Sequence, residues 1–331
     1  MNILVTGGAG YVGSHAAKAL ANAGHRTVTY DNLSRGHKWA VRWGPLVVGD
    51  VADYQLLLKT LREFSIDAVI HFAGSAYVAE SLTAPWDYFQ NNCVNGLTVL
   101  DAMRASGVQS IIFSSSCATY GVPCQPTISE QHPQRPINPY GESKLFMERA
   151  LHWYGEASGI RWLALRYFNA AGADPDGEIG EAHHPETHLI PLAIRAALGQ
   201  GPPLQVMGTD HPTPDGTAIR DYIHVADLAE AHSLGLEYLS RGGESMAINI
   251  GTGQGYSVRE VIGAVSQVAG RSVPFTEGEC RPGDPPILVA ETGLACSMLH
   301  WTPHHRDLAG LIRSAWDWHS SQALCSPTTP A

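Results

Sequence analysis

The chain has 331 residues, 44% hydrophobic and 16% charged, which suits one large or two moderate globular parts with a real core. Its formal net charge is -10 with no Lys/Arg-rich run, so neither nucleic acid nor an anionic membrane is expected as a partner, and no run of about eighteen apolar residues offers a membrane span. Six cysteines without a Cys-x-x-Cys spacing, and an N-terminus that enters a strand without a basic, apolar leader, predict a cytoplasmic protein with free thiols.

The first expected element is a strand over residues 2–6, followed by Gly7-Gly8-Ala9-Gly10-Tyr11-Val12-Gly13 and a helix to about residue 23. Strand, glycine loop and helix in this order form a dinucleotide site. Gly7 permits the tight turn, Gly10 lets the backbone approach a pyrophosphate, and Gly13 lets the helix pack on the strand, with the helix N-terminus facing the phosphates. Tyr11 and Val12 fall within the same contact zone. A second strand over 26–30 ends in Asp31, spaced to bind adenine ribose hydroxyls, with Asn32 beside it. A carboxylate repels a 2′-phosphate, so NAD is expected rather than NADP; Arg35 is the one nearby residue that pulls the other way.

Strands over 46–48 and 68–72 follow, separated by a helix over 54–64. Asp50 and Val51 come where an adenine contact falls, and Phe72, Ala73 and Gly74 lie at a carboxyl strand edge, where open parallel sheets bind ligands. A helix over 88–106, carrying Asn91, leads to a strand over 110–114. The alternation predicts an α/β fold with a doubly wound parallel Rossmann-type sheet.

Ser114-Ser115-Ser116-Cys117 ends that strand. Ser116 is the hydroxyl chosen to bond a substrate oxygen, against the plainer reading that a serine run merely terminates a strand. Asn138-Pro139 then has the form of a helix start, and Tyr140 and Lys144, four residues apart, share one helix face. A nearby ammonium stabilises phenolate, so the Tyr140 pKa is expected to fall towards the working pH, as a general base needs. A chance surface pair is the alternative unless a hydride acceptor and a hydroxyl converge on it.

A strand over 163–167, ending in Tyr167, precedes a Pro-, Gly- and His-rich stretch over 174–218 that contains one helical piece, 189–198. Strand character resumes over 219–225, with a helix from 227 to about 238, a strand over 247–250 and an amphipathic helix over 257–269. The histidine pairs His183-His184 and His304-His305 sit in polar, Pro-containing surroundings and are read as lacking a cysteine or carboxylate at ligand spacing, so no metal is expected. The chain contains no internal repeat.

With the glycine loop, the serine strand and Tyr140-x-x-x-Lys144 in this order, the chain resembles the extended short-chain dehydrogenase/reductase family. The runs His71-Phe72-Ala73-Gly74, Pro139 to Lys144, Arg166-Tyr167-Phe168-Asn169, Pro185 to Pro191, Thr213 to Thr217, Arg220 to Val225 and Arg281 to Asp284 are similar to those of its UDP-glucose 4-epimerase branch over residues 2 to about 319. That resemblance implies tightly held NAD, a homodimer, and interconversion of UDP-glucose and UDP-galactose through transient oxidation at sugar C4. It implies a cofactor contact set that adds Asn91, Ser114 and Tyr167 to the residues above. It assigns Tyr140 as base, Ser116 as the orienting hydroxyl and Lys144 as the ribose contact. It gives Asn169, His188, Leu189, Arg220, Arg281 and Asp284 to the UDP-sugar. Residues 1–170 with 219–252 form the expected NAD-binding domain, 171–218 with 253–319 a smaller C-terminal α/β substrate domain, and 320–331 a flexible tail. Departures from the family pattern fall at Ala76, where a lysine is frequent, at His188, where Asn is frequent, and at Leu288, where a larger Tyr is frequent; Leu288 suggests tolerance of an N-acetyl sugar. Cys117-Ala118 stands where sugar-nucleotide dehydratases carry an acid pair, which disfavours that rival; epimerases of other UDP-sugars and a non-catalytic NAD sensor are the remaining alternatives.

Overall fold

The structure, a computed structural model, describes residues 1–280 and 284–325, the last four by backbone alone. Seven parallel strands form the main sheet in the order Met246–Ile250, Arg161–Tyr167, Ser110–Ser116, Ala68–His71, Asn2–Thr6, Arg26–Asp31, Leu46–Val48. The strand sequences are nearly continuously apolar because both faces are covered. Successive residues feed opposite cores: Leu4, Val69, Ile111, Phe113 and Ala164 face one cluster, and Ile3, Val5, Ile70, Ile112, Leu163 and Leu165 the other. Helices Tyr54–Glu63, Asn95–Ser106 and Pro139–Ser158 close the first face; Tyr11–Asn22 and Val225–Ser240 close the second. Strand order reverses between Asn2–Thr6 and Ala68–His71, and the crevice beyond their carboxyl ends is where such sheets take ligands.

A second group of elements surrounds the strand Ile219–His224, which pairs in parallel with Asn169–Ala171 and Ile287–Leu288 and antiparallel with Gly255–Ser257. Leu204–Met207 and Phe275–Gly278 form a separate parallel pair. A third core, built on Ile190, Ile194, Val261, Val265, Leu311 and Ile312, joins helices Leu189–Leu198, Val258–Ala269 and Leu308–Cys325 beneath them. Of the returning segment 219–252, only the helix and the final strand join the large sheet.

Several expected boundaries move. The helix expected over 88–106 is a short helix Pro85–Tyr88, a π-helical turn Phe89–Val94 and the helix Asn95–Ser106. The wider turn buries Asn92 and Cys93, which a regular register would place differently. The serine strand runs on to Ser116, held by pairing with Tyr167, so Ser115 and Ser116 belong to the sheet. The flexible tail expected from residue 320 is corrected through 325: helix Leu308–Cys325 continues because Leu311, Ile312, Ala315 and Trp318 bury one stripe. Residues 326–331 lie outside the described residues, as does Arg281.

Candidate active site

Two loops meet at the reversal point. At Gly7, φ is +70°, and an added Cβ would lie 2.5 Å from the Ala73 amide nitrogen; at Gly13 it would lie 2.3 Å from the Gly7 carbonyl oxygen. The chain therefore requires glycine at both positions to bring Phe72-Ala73-Gly74 against the glycine loop. Gly10 N-caps the helix Tyr11–Asn22 without any side-chain acceptor. Asp31 sits beside this turn, accepting from the Ala9 amide at 3.0 Å and the Leu33 amide at 2.8 Å. Burial raises its pKa, against those two bonds. Asn32 donates to the Asp50 carboxylate at 2.8 Å, and Val51 is buried next to them. Arg35 is engaged elsewhere, paired with Glu80 at 2.8 Å and lying over the Tyr77 ring. Tyr11 spends its hydroxyl on the Gly172 carbonyl at 2.7 Å, so its contribution to the loop is the ring and backbone. Val12 packs against the core cluster under the sheet.

Tyr140 and Lys144 come together as expected, because Asn138 caps their helix by accepting from the Gly141 amide at 2.8 Å and Pro139 opens its first turn. Both side chains are buried, at 7% and 5% exposure. Lys144 donates to the Ser114 carbonyl at 2.8 Å and lies 5.8 Å from the Tyr140 ring centroid. Ser114 in turn shares a 2.6 Å hydrogen bond with the Tyr167 hydroxyl. Ser116 accepts from the Ala118 amide at 3.2 Å, which orients its hydroxyl at the strand end.

The expected fall of the Tyr140 pKa is corrected. Burial pushes the phenol well above its ordinary value, Tyr167 adds to the rise, and Ser116 hydrogen bonding opposes it. Lys144 does not reverse this, because its ammonium is aimed at the Ser114 carbonyl and burial lowers its own pKa to about 8.

The candidate substrate residues form a second wall. Asn169 begins the strand paired with Tyr222 and the rest of Ile219–His224. Arg220 donates to its neighbour's carbonyl, Ile219, at 2.8 Å and pairs with Asp284 at 2.5 Å. Asp221 takes no part in that pair; it accepts from the Thr252, Gly253 and Ala290 amides. Leu288 packs beside Cys117, Tyr120, Ile128 and Phe168, directly behind the serine strand end. His188 N-caps the helix that begins at Leu189, and its imidazole is held by Glu181.

Three features escaped the sequence reading. Asn92 accepts from the Ser75 amide at 2.7 Å and donates to the Ser75 carbonyl and to Ser143 in the Tyr140 helix, so it fixes the Gly74 loop against that helix; Asn91, the expected contact, reaches Ser75 Oγ at 3.1 Å. Arg166 and Glu148 form a buried two-pronged ion pair, bonded also to Tyr120 and Ser115, that anchors the strand under Ser116. Near His183, the carboxylates of Glu181 and Glu186 do converge, contrary to the expectation that none lies at ligand distance. Only chain folding in a non-helical loop brings them together.

Residues 3–251 match the family described as the NAD dependent epimerase/dehydratase family. A UDP-glucose 4-epimerase from Rhizobium leguminosarum bv. trifolii is 49% identical over 318 residues, 96% of this chain and 97% of its own. The crystal structure of UDP-glucose 4-epimerase from Brucella ovis in complex with NAD superposes with TM-score 0.94 at 52% identity, covering 96% of this chain and 97% of that one. The UDP-glucose 4-epimerase from Bifidobacterium longum in complex with NAD+ and UDP gives TM-score 0.93 at 35% identity over 98% of this chain and 99% of its own.

Proposed function

Since the chain belongs to the NAD dependent epimerase/dehydratase family, we propose that it interconverts UDP-glucose and UDP-galactose with tightly held NAD. The observation that carries this reading is the convergence of Tyr140, Lys144 and Ser116 at the carboxyl edge of the strand Ser110–Ser116, beside the two close-packed glycine loops.

The residues present fit the cofactor. Gly7 and Gly13 leave no room for a Cβ, the helix N-terminus at Tyr11 carries no side-chain cap, and Asp31 stands ready with carboxylate lone pairs for ribose hydroxyls. Arg35, tied to Glu80, is not free to favour a 2′-phosphate. When bound, NAD supplies a reversible hydride acceptor for the sugar C4 hydrogen.

Tyr140 takes the proton of the 4′-hydroxyl through its phenolic oxygen, and Ser116 aligns that hydroxyl and favours the phenolate. Lys144 keeps a cation beside the ring. Tyr140 and Lys144 are both almost fully enclosed, so a charge formed there is felt in a low-dielectric setting. Arg220, drawn to Asp284 in this structure, offers a guanidinium fork suited to a diphosphate, with Arg281 assigned beside it by resemblance. A 4-keto sugar anchored mainly through that diphosphate can turn and present its opposite face, which leaves no net redox change. Dehydration would need an acid and a base after Ser116. Cys117 stands there instead, buried and with its thiol pushed up to about 12.

The nucleotide is assigned to residues 1–170 with 219–252 and the UDP-sugar to 171–218 with 253–319, as the family implies. A homodimer is supported by exposed Trp86, Phe89, Val94, Phe146 and Trp153, all on the segments flanking helices Asn95–Ser106 and Pro139–Ser158 or on the latter helix itself. No described helix is long and apolar enough to cross a membrane, and the free thiols of Cys93 and Cys117 suit a reducing cytoplasm.

The test is to incubate purified protein with UDP-galactose, adding no NAD, and to separate the nucleotide-sugars. UDP-glucose formed without accumulating NADH supports epimerisation. A stoichiometric requirement for added NAD would overturn it in favour of a dehydrogenase.

A further inference from the structure

Beside the glycine loop, four side chains that the epimerisation does not use as acids or bases gather in one loop. The ligating atoms of Glu181, His183, Glu186 and His188 all lie within 4.8 Å of one another. We propose that they form a site for one divalent transition-metal ion, with Zn(II) the best match to two imidazoles and two carboxylates.

The spacing suits tetrahedral coordination. Ligand atoms at about 2.1 Å from an ion stand about 3.4 Å from each other in that geometry. His183 Nδ1 is 3.0 Å from Glu181 Oε1 and 3.8 Å from Glu186 Oε1, and His188 Nδ1 is likewise 3.8 Å from Glu186 Oε1. Only the His188 contact to Glu181 is much shorter, and it would open as an ion enters between them.

An independent observation points the same way. Glu186 has a side chain that is 0% exposed, yet its Oε2 has no hydrogen-bond partner among the described residues. A buried carboxylate oxygen without a donor is costly, and both imidazoles direct Nδ1 to Glu181 Oε1, so neither supplies it. A cation seated among the four groups would.

The ligands are also held in place from outside. Glu186 Oε1 accepts from the Thr187 amide at 2.8 Å and the His188 amide at 3.0 Å, and the Glu181 carbonyl accepts from Trp318 Nε1 at 3.0 Å. Tyr11 and Tyr77 present ring edges to His183 at 6.1 and 5.7 Å, which encloses the site. With neutral imidazoles the set carries two negative charges, which a divalent ion cancels. The ion would fasten the loop 181–188 to the start of helix Leu189–Leu198, a structural role separate from the proton chemistry at Tyr140.

The test uses the untagged full-length holoenzyme, stripped with chelator and then titrated with Zn(II) or Co(II). One ion per chain after desalting, a melting temperature that rises with Zn(II), and the intense visible absorption of tetrahedral Co(II) are expected. Glu186→Gln and His183→Gln should weaken Zn(II) by more than the roughly 10–100-fold that loss of an outer-shell partner costs, with NAD content unchanged as the check on folding. His304→Gln should leave binding as it is. The proposal is overturned by absence of stoichiometric metal, by equal metal content in wild type and both loop variants, or by a weak octahedral Co(II) spectrum in the wild type, a readout that needs no variant to fold.

Discussion

Lys144 donates from Nζ to the main-chain carbonyl of Ser114 across 2.8 Å, and this bond joins the helix that carries Tyr140 to the strand that ends in Ser116. It holds a cation in a place where burial disfavours charge, lowering the Lys144 pKa from 10.5 to about 8.

That shift has a sign in stability. Between pH 8 and 10.5 the unfolded chain holds the Lys144 proton and the folded chain does not, so stability from this group rises with pH through that window and is lowest below pH 8. Other groups titrate there too, so the measurement is a difference: denaturant unfolding of wild type against Lys144→Met at both ends of the window. Wild type should gain on the variant by ~3 kcal/mol at most between pH 8 and 10.5. A flat difference would mean that the ammonium is not desolvated.

Tyr140→Phe keeps the ring and removes the oxygen. Turnover of UDP-galactose should fall by about 100- to 10,000-fold, the range for loss of a positioned proton acceptor, while the NAD released on denaturation stays equimolar with the chain. Near-normal turnover would refute the assignment of the base.

Arg220 meets Asp284 at 2.5 Å and has no other acid partner among the described residues. Arg220→Ala should weaken UDP by about 10- to 100-fold, as expected for one or two charge-assisted hydrogen bonds, with NAD content unaffected. Arg220→Lys should recover little of the loss, because an ammonium cannot form the fork. Calorimetric titration with UDP reads both; unchanged affinity in the alanine variant would remove Arg220 from the site.

Leu288 packs against Cys117 and Tyr120 behind the catalytic strand end. Leu288→Tyr adds a ring and a hydroxyl there, so activity on UDP-GlcNAc should drop several-fold more than activity on UDP-glucose. Parallel losses on the two sugars would show that this side chain does not set the room for an N-acetyl group.

The sheet and the order of its motifs were legible because parallel strands buried on both faces leave uninterrupted apolar runs, and because Gly7 and Gly13 stand where no Cβ fits. Tyr140 and Lys144 were legible from helical spacing, but the direction of the phenol's pKa was not, since depth of burial is a property of the whole fold. Asn92 was hidden by its neighbour Asn91: only the π-helical turn decides which of the two faces Ser75 and Ser143. Glu181, His183, Glu186 and His188 follow no helical or strand period, so their convergence could be seen only once the loop was folded. The helix Leu308–Cys325 was masked by a polar ending, although its buried stripe is regular.

The strand Met246–Ile250 lies at the margin of the large sheet, against Arg161–Tyr167, and the helix Val225–Ser240 covers the face made by Ile3, Val5, Ile70 and Leu163. On the ribosome, a nascent chain that has emerged only as far as residue 224 therefore exposes an unpaired strand and an uncovered oily face. The glycine turn is translated first, yet the platform beneath it is finished only when residues from beyond 225 return, so the time of greatest aggregation hazard for this protein falls late in its synthesis.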